Sequence, residues 1–465
     1  MKTFLRIVMA TTGVAVGLSS FAAQTTKSSP AAKPKANAPF ANYSTESTLF
    51  NDKTLLANNM MVVTTTPYLG IRSDYAAGDL MINLPSINQD LELLQQRSVL
   101  EKRFNAAGVP FASRPIVELS GDVIGRAFVS SGYGTGRSDV DLRDAEFEIN
   151  AIASSWVNAF MDIDYDRNTA PYTGDTSRVD NSRLYVNWAF INIGDLNRTP
   201  FYGTVGQMYV PFGRYGSYMI TTPVTATLFQ STQRTALVGY AQNNWNAQAY
   251  AYHGPLNTNG RGNTINEGGA NVSYNFATNM GQFKTGAGYI TNIADADGFR
   301  DNGVRTAGVF QGFTRTDTSD QIAHRVGGVD LNGRWNNGPW GLTGEVILPT
   351  RRFAAADMQY NSRGAKPGAM YFEGTYKFNY WNKPITWALS YGHSWQAAAL
   401  SVPSMSLGTA LSTSLLKNTI EGIEYRHDIN YSSSRYNNST GSSTALVGYP
   451  GKTQNVVTAQ VGVYF

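Results

Sequence analysis

Asn455-Val-Val-Thr-Ala-Gln-Val-Gly-Val-Tyr-Phe465 decides the fold. Val457, Ala459, Val461, Val463 and Phe465 are apolar or small, and Thr458, Gln460, Gly462 and Tyr464 alternate with them. A period of two means a strand with two unlike faces. An outward apolar row about ten residues long, ending on an aromatic residue, is what a transmembrane β-barrel needs in its closing strand. The alternative is the last strand of a soluble β-protein, so the rest of the chain has to decide.

Sixteen segments carry strand character between Ile116 and Phe465: 116–129, 139–152, 155–165, 181–192, 202–211, 234–242, 245–253, 266–276, 281–292, 324–335, 339–348, 368–379, 385–395, 404–416, 419–430 and 455–465. Their connections fall into two alternating classes. One set is short and rich in Asn, Gly or Pro: near Ser154, then 193–201, 243–244, 277–280, 336–338, 380–384 and 417–418. The other runs through 130–138, 166–180, 212–233, 254–265, 293–323, 349–367, 396–403 and 431–454. Short turns on one rim and long loops on the other are the pattern of an even-stranded membrane barrel. The fold expected is therefore all-β, a sixteen-stranded transmembrane antiparallel barrel over 116–465, around an aqueous channel.

Alternation assigns the faces. In 155–165, Val157, Ala159, Met161 and Ile163 point to lipid, and Asn158, Asp162 and Asp164 to the lumen. In 181–192, Leu184, Val186, Trp188 and Phe190 point out, and Arg183, Tyr185 and Asn187 in. Asp330, Arg334, Glu373, Thr375, Lys377, Glu424, Arg426 and Asp428 complete the lumenal set. A charge facing mid-bilayer costs about 2–4 kcal/mol, so confining charges to one face has a physical reason. In 139–152 the polar phase flips between Arg143 and Glu146, as a bulge would make it.

Composition agrees. Mean hydropathy is −0.27, which alternation produces even in a membrane barrel. The 465 residues contain no Cys, which excludes disulfides and cysteine metal sites. Net charge is +4, and +2 once Lys2 and Arg6 are set aside; no basic patch suggests nucleic acid. Lys2 and Arg6 precede the apolar stretch 7–18, and Ser20-Phe-Ala22 offers a cleavage site, so residues 1–22 read as a secretory signal peptide. Residues 23–59, rich in Ala, Lys, Pro, Ser and Thr at their start, read as a flexible linker. Residues 60–115 read as a periplasmic arm with a β-type run at 60–66. Ser86 can cap a helix over 87–105, with Ile87, Leu91, Leu94, Val99 and Leu100 as a narrow stripe. That helix either packs at the barrel mouth or pairs as a short coiled coil.

Asp295, Asp297 and Asp301 have calcium-loop spacing but lack the downstream Glu, so they are expected to be a solvated loop. His253, His324, His393 and His427 lack ligand spacing, and no Ser–His motif marks a hydrolase. No catalytic, metal or cofactor site is expected.

Residues 202–216, Tyr-Gly-Thr-Val-Gly-Gln-Met-Tyr-Val-Pro-Phe-Gly-Arg-Tyr-Gly, resemble the strand before the third loop of substrate-specific porins, in which that loop folds inward. By that resemblance 212–233 forms a constriction with Arg214, Tyr215, Tyr218, Phe229 and Arg234, suited to an anionic ligand; the alternative is a surface loop of ordinary tyrosine content. Thr66-Pro-Tyr-Leu-Gly70, Leu84-Pro-Ser-Ile-Asn-Gln-Asp90 with its Leu-Leu-Gln-Gln helix, and Glu424-Tyr-Arg-His-Asp428 resemble the legiobactin-receptor (LbtU-type) siderophore porin family. The resemblance implies a Gram-negative outer-membrane barrel without a conventional plug, taking up a ferric siderophore or similar anionic small solute. Its implied partners are outer-membrane lipids and the barrel assembly machinery, which reads a terminal Phe in that class, with a homo-oligomer as an option. A general or nutrient-selective diffusion porin and a structural or adhesive envelope protein are the other readings.

Overall fold

The computed structural model describes residues 62–65, 87–106, 108, 110–112, 115–133, 136–166, 183–256, 258, 264–301, 322–416, 418–437, 439 and 449–465. The signal peptide, the linker, the capping Ser86, most of loops 166–180 and 293–323, and residues 440–448 of loop 431–454 lie outside them.

Elements run in the order β1 (Val62–Thr65), α1 (Gln89–Ala106), β2 (Ile116–Gly132), β3 (Arg137–Ile152), β4 (Val157–Asp166), β5 (Arg183–Gly194), β6 (Phe201–Tyr209), α2 (Val224–Phe229), β7 (Thr232–Gln242), β8 (Trp245–Tyr252), β9 (Glu267–Thr278), β10 (Gly281–Ile290), α3 (Asp297–Asp301), β11 (Gly328–Asn337) and β12 (Trp340–Pro349). They continue through β13 (Gln359–Tyr360), β14 (Arg363–Gly364), β15 (Gly368–Tyr380), β16 (Lys383–Trp395), β17 (Met405–Thr413), β18 (Thr419–Ile429), α4 (Ser433–Asn437) and β19 (Thr453–Tyr464). β2–β12 and β15–β19 are the sixteen barrel strands. Each pairs antiparallel with its sequence neighbours, and β19 closes on β2 from Gln454↔Gly132 to Tyr464↔Asp122. β13–β14 is a separate small hairpin.

Turn chemistry sets the short rim. Asn243-Asn244 and Trp381-Asn382 are two-residue hairpins with φ of 52°, 69°, 49° and 57°. Positive φ at both positions matches the right-handed strand twist, and asparagine, which fills three of the four, adopts it more readily than other residues bearing a side chain. An outward band of aromatic rings gathers at this rim: Trp245 on Tyr274 (4.5 Å), Phe276 on Phe283 (5.0 Å) and Trp340 on Tyr376 (4.5 Å). Between the rims the outer wall exposes Leu184, Val238, Leu331, Leu342, Leu389 and Val461.

Two bulges re-aim side chains. Opposite Ile124/Gly125 the register skips Arg143, where the phase flip predicts it, so Asp141 and Asp144 both face inward. A second skip, at Asn187 opposite Asp162/Ile163, reverses the faces of β5. Trp188 and Phe190, expected toward lipid, are buried inside against Leu93, Phe160 and Met208, while Ile191 and Ile193 take the outer face. Period two alone cannot see a one-residue insertion.

The lumen is furnished rather than simply aqueous. α1 lies neither outside the mouth nor in a coiled coil. Leu91 and Leu94 pack into a large interior cluster, Leu93 sits against Phe160 and Trp188, and Leu100 and Phe104 meet Ile116 and Ile152 at the start of β2 and end of β3. Apolar side chains leave the helix on several sides, as befits a helix enclosed by walls. Each is worth about 1.5–3 kcal/mol when fully buried. The interior cluster continues through Phe212, Val224 and Phe229 to Ile293, Phe299, Phe353, Leu400 and Tyr431 of the loops on the opposite rim.

Candidate functional site

The segment between β6 and β7 runs into the lumen and across it. Its base closes through Val210 N–H donating to Ser231 C=O at 3.0 Å. Pro211 ends the strand, and Gly213 turns the chain at φ 84°, where a Cβ would lie 2.2 Å from the Tyr215 ring. The segment then crosses to the far wall, where three glutamates receive its backbone. Arg214 N–H donates to Glu345 Oε1 (2.5 Å), Tyr218 N–H to Glu373 Oε1 (2.9 Å) and Thr221 N–H to Glu424 Oε2 (2.9 Å). The Ser217 hydroxyl adds a 2.6 Å bond to Glu373, and the Thr221 hydroxyl a 2.5 Å bond to Glu424. α2 finishes the crossing. Gly298 of α3 lets it come close, since a Cβ there would strike the Thr227 carbonyl at 1.8 Å.

Basic side chains rim this crossing. Arg334 Nη2 donates to the Tyr218 hydroxyl at 3.0 Å, and Lys377 Nζ lies 5.5 Å from the same ring, so Tyr218 sits between two cations. Arg214 and Lys284 lie within electrostatic reach of each other, of Arg334 and of Glu92 on α1. Burial holds the Arg214 guanidinium below its ordinary range, Arg334 pushes the same way, and Glu92, Asp330 and Glu345 oppose them. Arg426 Nη1 donates to Thr221 Oγ1 at 2.8 Å and its Nε to Asp428 at 3.0 Å. A cavity of about 190 Å³ remains beside the crossing, bordered by Thr221, Pro223, Tyr371, Glu424, Arg426 and Asp428.

The wall formed by β2–β4 is acidic instead. Asp122, Asp144, Glu146, Glu148, Asp162 and Asp164 are at lumenal register positions there. α1 runs along the same side nearer the short-turn rim. Arg97 donates to Asn158 Oδ1 at 2.9 Å and to the Gly194 carbonyl. Asp90 accepts from Thr204 Oγ1 (3.1 Å), Gln89 donates to Glu148 (3.0 Å), and Asn197 donates to Glu101 (2.7 Å). Burial raises the Asp90 carboxyl to about 6, against its hydrogen bonds, and lowers Arg97 to about 10, against Asp195 and Glu101.

Of the residues singled out from sequence, Arg214, Tyr215, Tyr218, Asp330, Arg334, Glu373, Lys377, Glu424, Arg426 and Asp428 come together around the crossing segment. Glu373 and Glu424 hold its backbone and are not free lumenal charges. Phe229 is fully buried in the interior cluster, packed on Phe299. Arg234 departs from expectation: Gln233 and Thr235 face inward, so Arg234 projects from the outer face, its Nε 3.4 Å from Gln207 Oε1. Asp162 and Asp164 stand on the acidic wall. Arg183 lies on β5 opposite Asp166, its side chain outside the described set. Asp295 and Asp297, expected as a solvated loop, are structural. Asp295 is buried beside Tyr252, and Asp297 Oδ2 accepts from the Thr232 amide and hydroxyl at 3.1 and 2.9 Å. Glu345 and Lys284 occupy lumenal positions that period two would have named. Asp90 and Arg97 gave no signal, because their partners lie about a hundred residues away along the chain.

No protein-family model matches the chain. It is similar to a UPF0422 protein of Coxiella burnetii, 34% identical over 405 residues, covering 86% of this chain and 83% of that one. A UPF0422 protein of Legionella pneumophila (strain Philadelphia 1) is 33% identical over 450 residues, covering 93% and 83%. Among solved structures, an anion-selective porin from Comamonas acidovorans aligns over 76% of this chain and 100% of its own, with a TM-score of 0.49 and 10% identity. The outer membrane channel DcaP of Acinetobacter baumannii aligns over 76% and 97%, with 0.48 and 13%.

Proposed function

The chain belongs to the UPF0422 family, and from that premise and the lumen's geometry we propose that it is a porin-type channel of the Gram-negative outer membrane, admitting an anionic small solute of the ferric-siderophore kind. The closed barrel, its apolar outer wall and the aromatic band at the short-turn rim support the membrane reading. One observation carries the channel reading: a loop held across the lumen by three glutamates, with Arg214, Lys284, Arg334 and Lys377 on the side it reaches. Cations lining a narrow, partly desolvated opening attract carboxylate or hydroxamate anions and orient them. The facing acidic wall sets a transverse field that a polar solute crosses with its charges aligned. The resemblance of 66–70, 84–90 and 424–428 to the legiobactin-receptor family supports the siderophore as cargo. A nutrient-selective diffusion porin is the second reading, favoured by the two signs of charge along the lumen.

Uptake of radiolabelled ferric siderophore by a deletion strain tests the cargo. We expect uptake to fall several-fold and to return on complementation; normal uptake leaves the diffusion porin. In planar bilayers, Arg334→Ala with Lys377→Ala is expected to move the reversal potential toward cations. Arg234→Ala, on the outer wall, should leave it in place. An unmoved potential in the double variant removes the crossing segment as the filter.

A further inference from the structure

The acidic wall has a property that the passage of anions does not explain. β2, β3 and β4 lie side by side, and their register sets Asp122 beside Glu146 and Glu146 beside Asp164 in one row. Glu148 and Asp162 face each other in the next row, and Asp144, two residues before Glu146, shares its face by ordinary strand alternation. Like charges opposite one another on neighbouring strands are destabilising. Nearby guanidinium groups offset only part of this charge: Arg126 is committed to Asp141 at 2.7 and 3.0 Å, and Arg143, which donates to Gln460 at 2.6 Å, faces Asp122 and Asp144 alone against the whole row.

One carboxylate oxygen each from Asp144, Glu146 and Asp164 lie within 4.8 Å of one another. That span equals two metal–oxygen bonds of about 2.4 Å placed end to end, the length calcium adopts. A second observation points the same way. Asp162, one register row away, is 0% exposed, and neither of its oxygens accepts a hydrogen bond of normal geometry, although Asn187 lies alongside. Asp122, 6% exposed, also has one oxygen without a hydrogen-bond partner. Buried carboxylate oxygens in that condition are costly unless something positive meets them.

We propose that Asp144, Glu146 and Asp164 bind a hard divalent cation such as Ca²⁺ on the lumenal wall, with Asp162 supplying a further oxygen. All donors are carboxylates, which select hard cations over zinc or copper. The bound ion removes the repulsion between β2, β3 and β4. The assignment does not depend on which solute the barrel admits.

The Tyr185 hydroxyl donates to Asp164 at 2.9 Å, and Trp188 pairs with Asp162. Terbium bound there is therefore excited through aromatic light absorption. The purified full-length barrel in detergent, stripped with EDTA, is titrated with Tb³⁺ and then with Ca²⁺. The expected result is saturable sensitised luminescence at one equivalent, displaced by Ca²⁺, with apparent affinity at least tenfold weaker in Glu146→Gln and Asp164→Asn. Luminescence that does not saturate, or equal affinity in both variants, overturns the site. If neither variant folds, the wild-type protein decides. Its thermal midpoint is expected to rise several degrees with Ca²⁺ over EDTA, and an unmoved midpoint overturns the site.

Discussion

Asp295 shows how one side chain can tie stability to pH. It is buried beside the loop ends that meet α2, and burial, with Glu267 nearby, raises its carboxyl to about 8, against Asn292, Arg300 and a backbone contact. In the unfolded chain it titrates near 3.8. Between these values the folded state keeps a proton that the unfolded state has lost, so stability is full below pH 4 and falls as pH rises to about 8. Asp295→Asn, neutral throughout, is expected to flatten that slope. Its thermal midpoint should exceed the wild type's at pH 8 and match it near pH 4. A wild-type midpoint no more pH-dependent over this range than the variant's would refute the assignment. The sequence offered Asp295, Asp297 and Asp301 as an ion-loop spacing, and spacing says nothing about burial. The fold turns Asp295 and Asp297 into supports for the crossing segment, through contacts no local pattern encodes.

At the scale of elements, α1 and the crossing segment fill the lumen of a wall whose strands pair without them. Arg97 ties α1 to β4 and to the end of β5 through Asn158 and the Gly194 carbonyl. Arg97→Leu deletes a buried charge together with the bonds it made, leaving two acceptors unpaired at about 1–3 kcal/mol each. We expect the barrel to stay folded and α1 to loosen, seen as larger or noisier single-channel conductance. Unchanged conductance with α1 still protected from protease would argue that Arg97 is not its fastening. The helix itself was legible, since Leu, Gln, Glu and Arg in a run favour one, with Asp90 and Glu92 in its first turn and Arg103 in its last. Its destination was not. The stripe Ile87, Leu91, Leu94, Val99 and Leu100 suggested one packing surface, whereas its member Leu100 packs with Phe104 in a separate cluster and Leu93 in a third. Likewise, the Arg143 bulge was visible because charge phase flips there, and the Asn187 bulge was silent because Trp188 and Phe190 suit either face.

At the scale of the molecule, the barrel was read from two regularities that belong to its architecture and not to any single strand. Strand alternation and the alternation of short and long connections gave sixteen strands and the β19–β2 seam. The inward loop 212–233 was read only through a resemblance, and the place of α1 escaped because a lumen is enclosed only once sixteen strands close, and the apolar residues lining it look like loop residues until then. A chain lacking residues 87–106 is expected to form the same sheet, since each barrel strand pairs with barrel neighbours. Such a protein should keep heat-modifiable migration on a gel and conduct more than the full chain. Loss of heat modifiability would mean that α1 is needed to close the wall.

β1 gives this arrangement a history. It lies parallel to the first four residues of β2, Val62↔Ile116 to Thr65↔Leu119, beside the stretch that precedes β19's pairing at Asp122. The chain therefore leaves the seam at Thr65 and returns to it at Ile116, and α1 belongs to an excursion whose two ends are anchored at one rim. With both ends of its excursion held on one rim, the segment carrying α1 fills the lumen while every barrel strand keeps its two barrel neighbours.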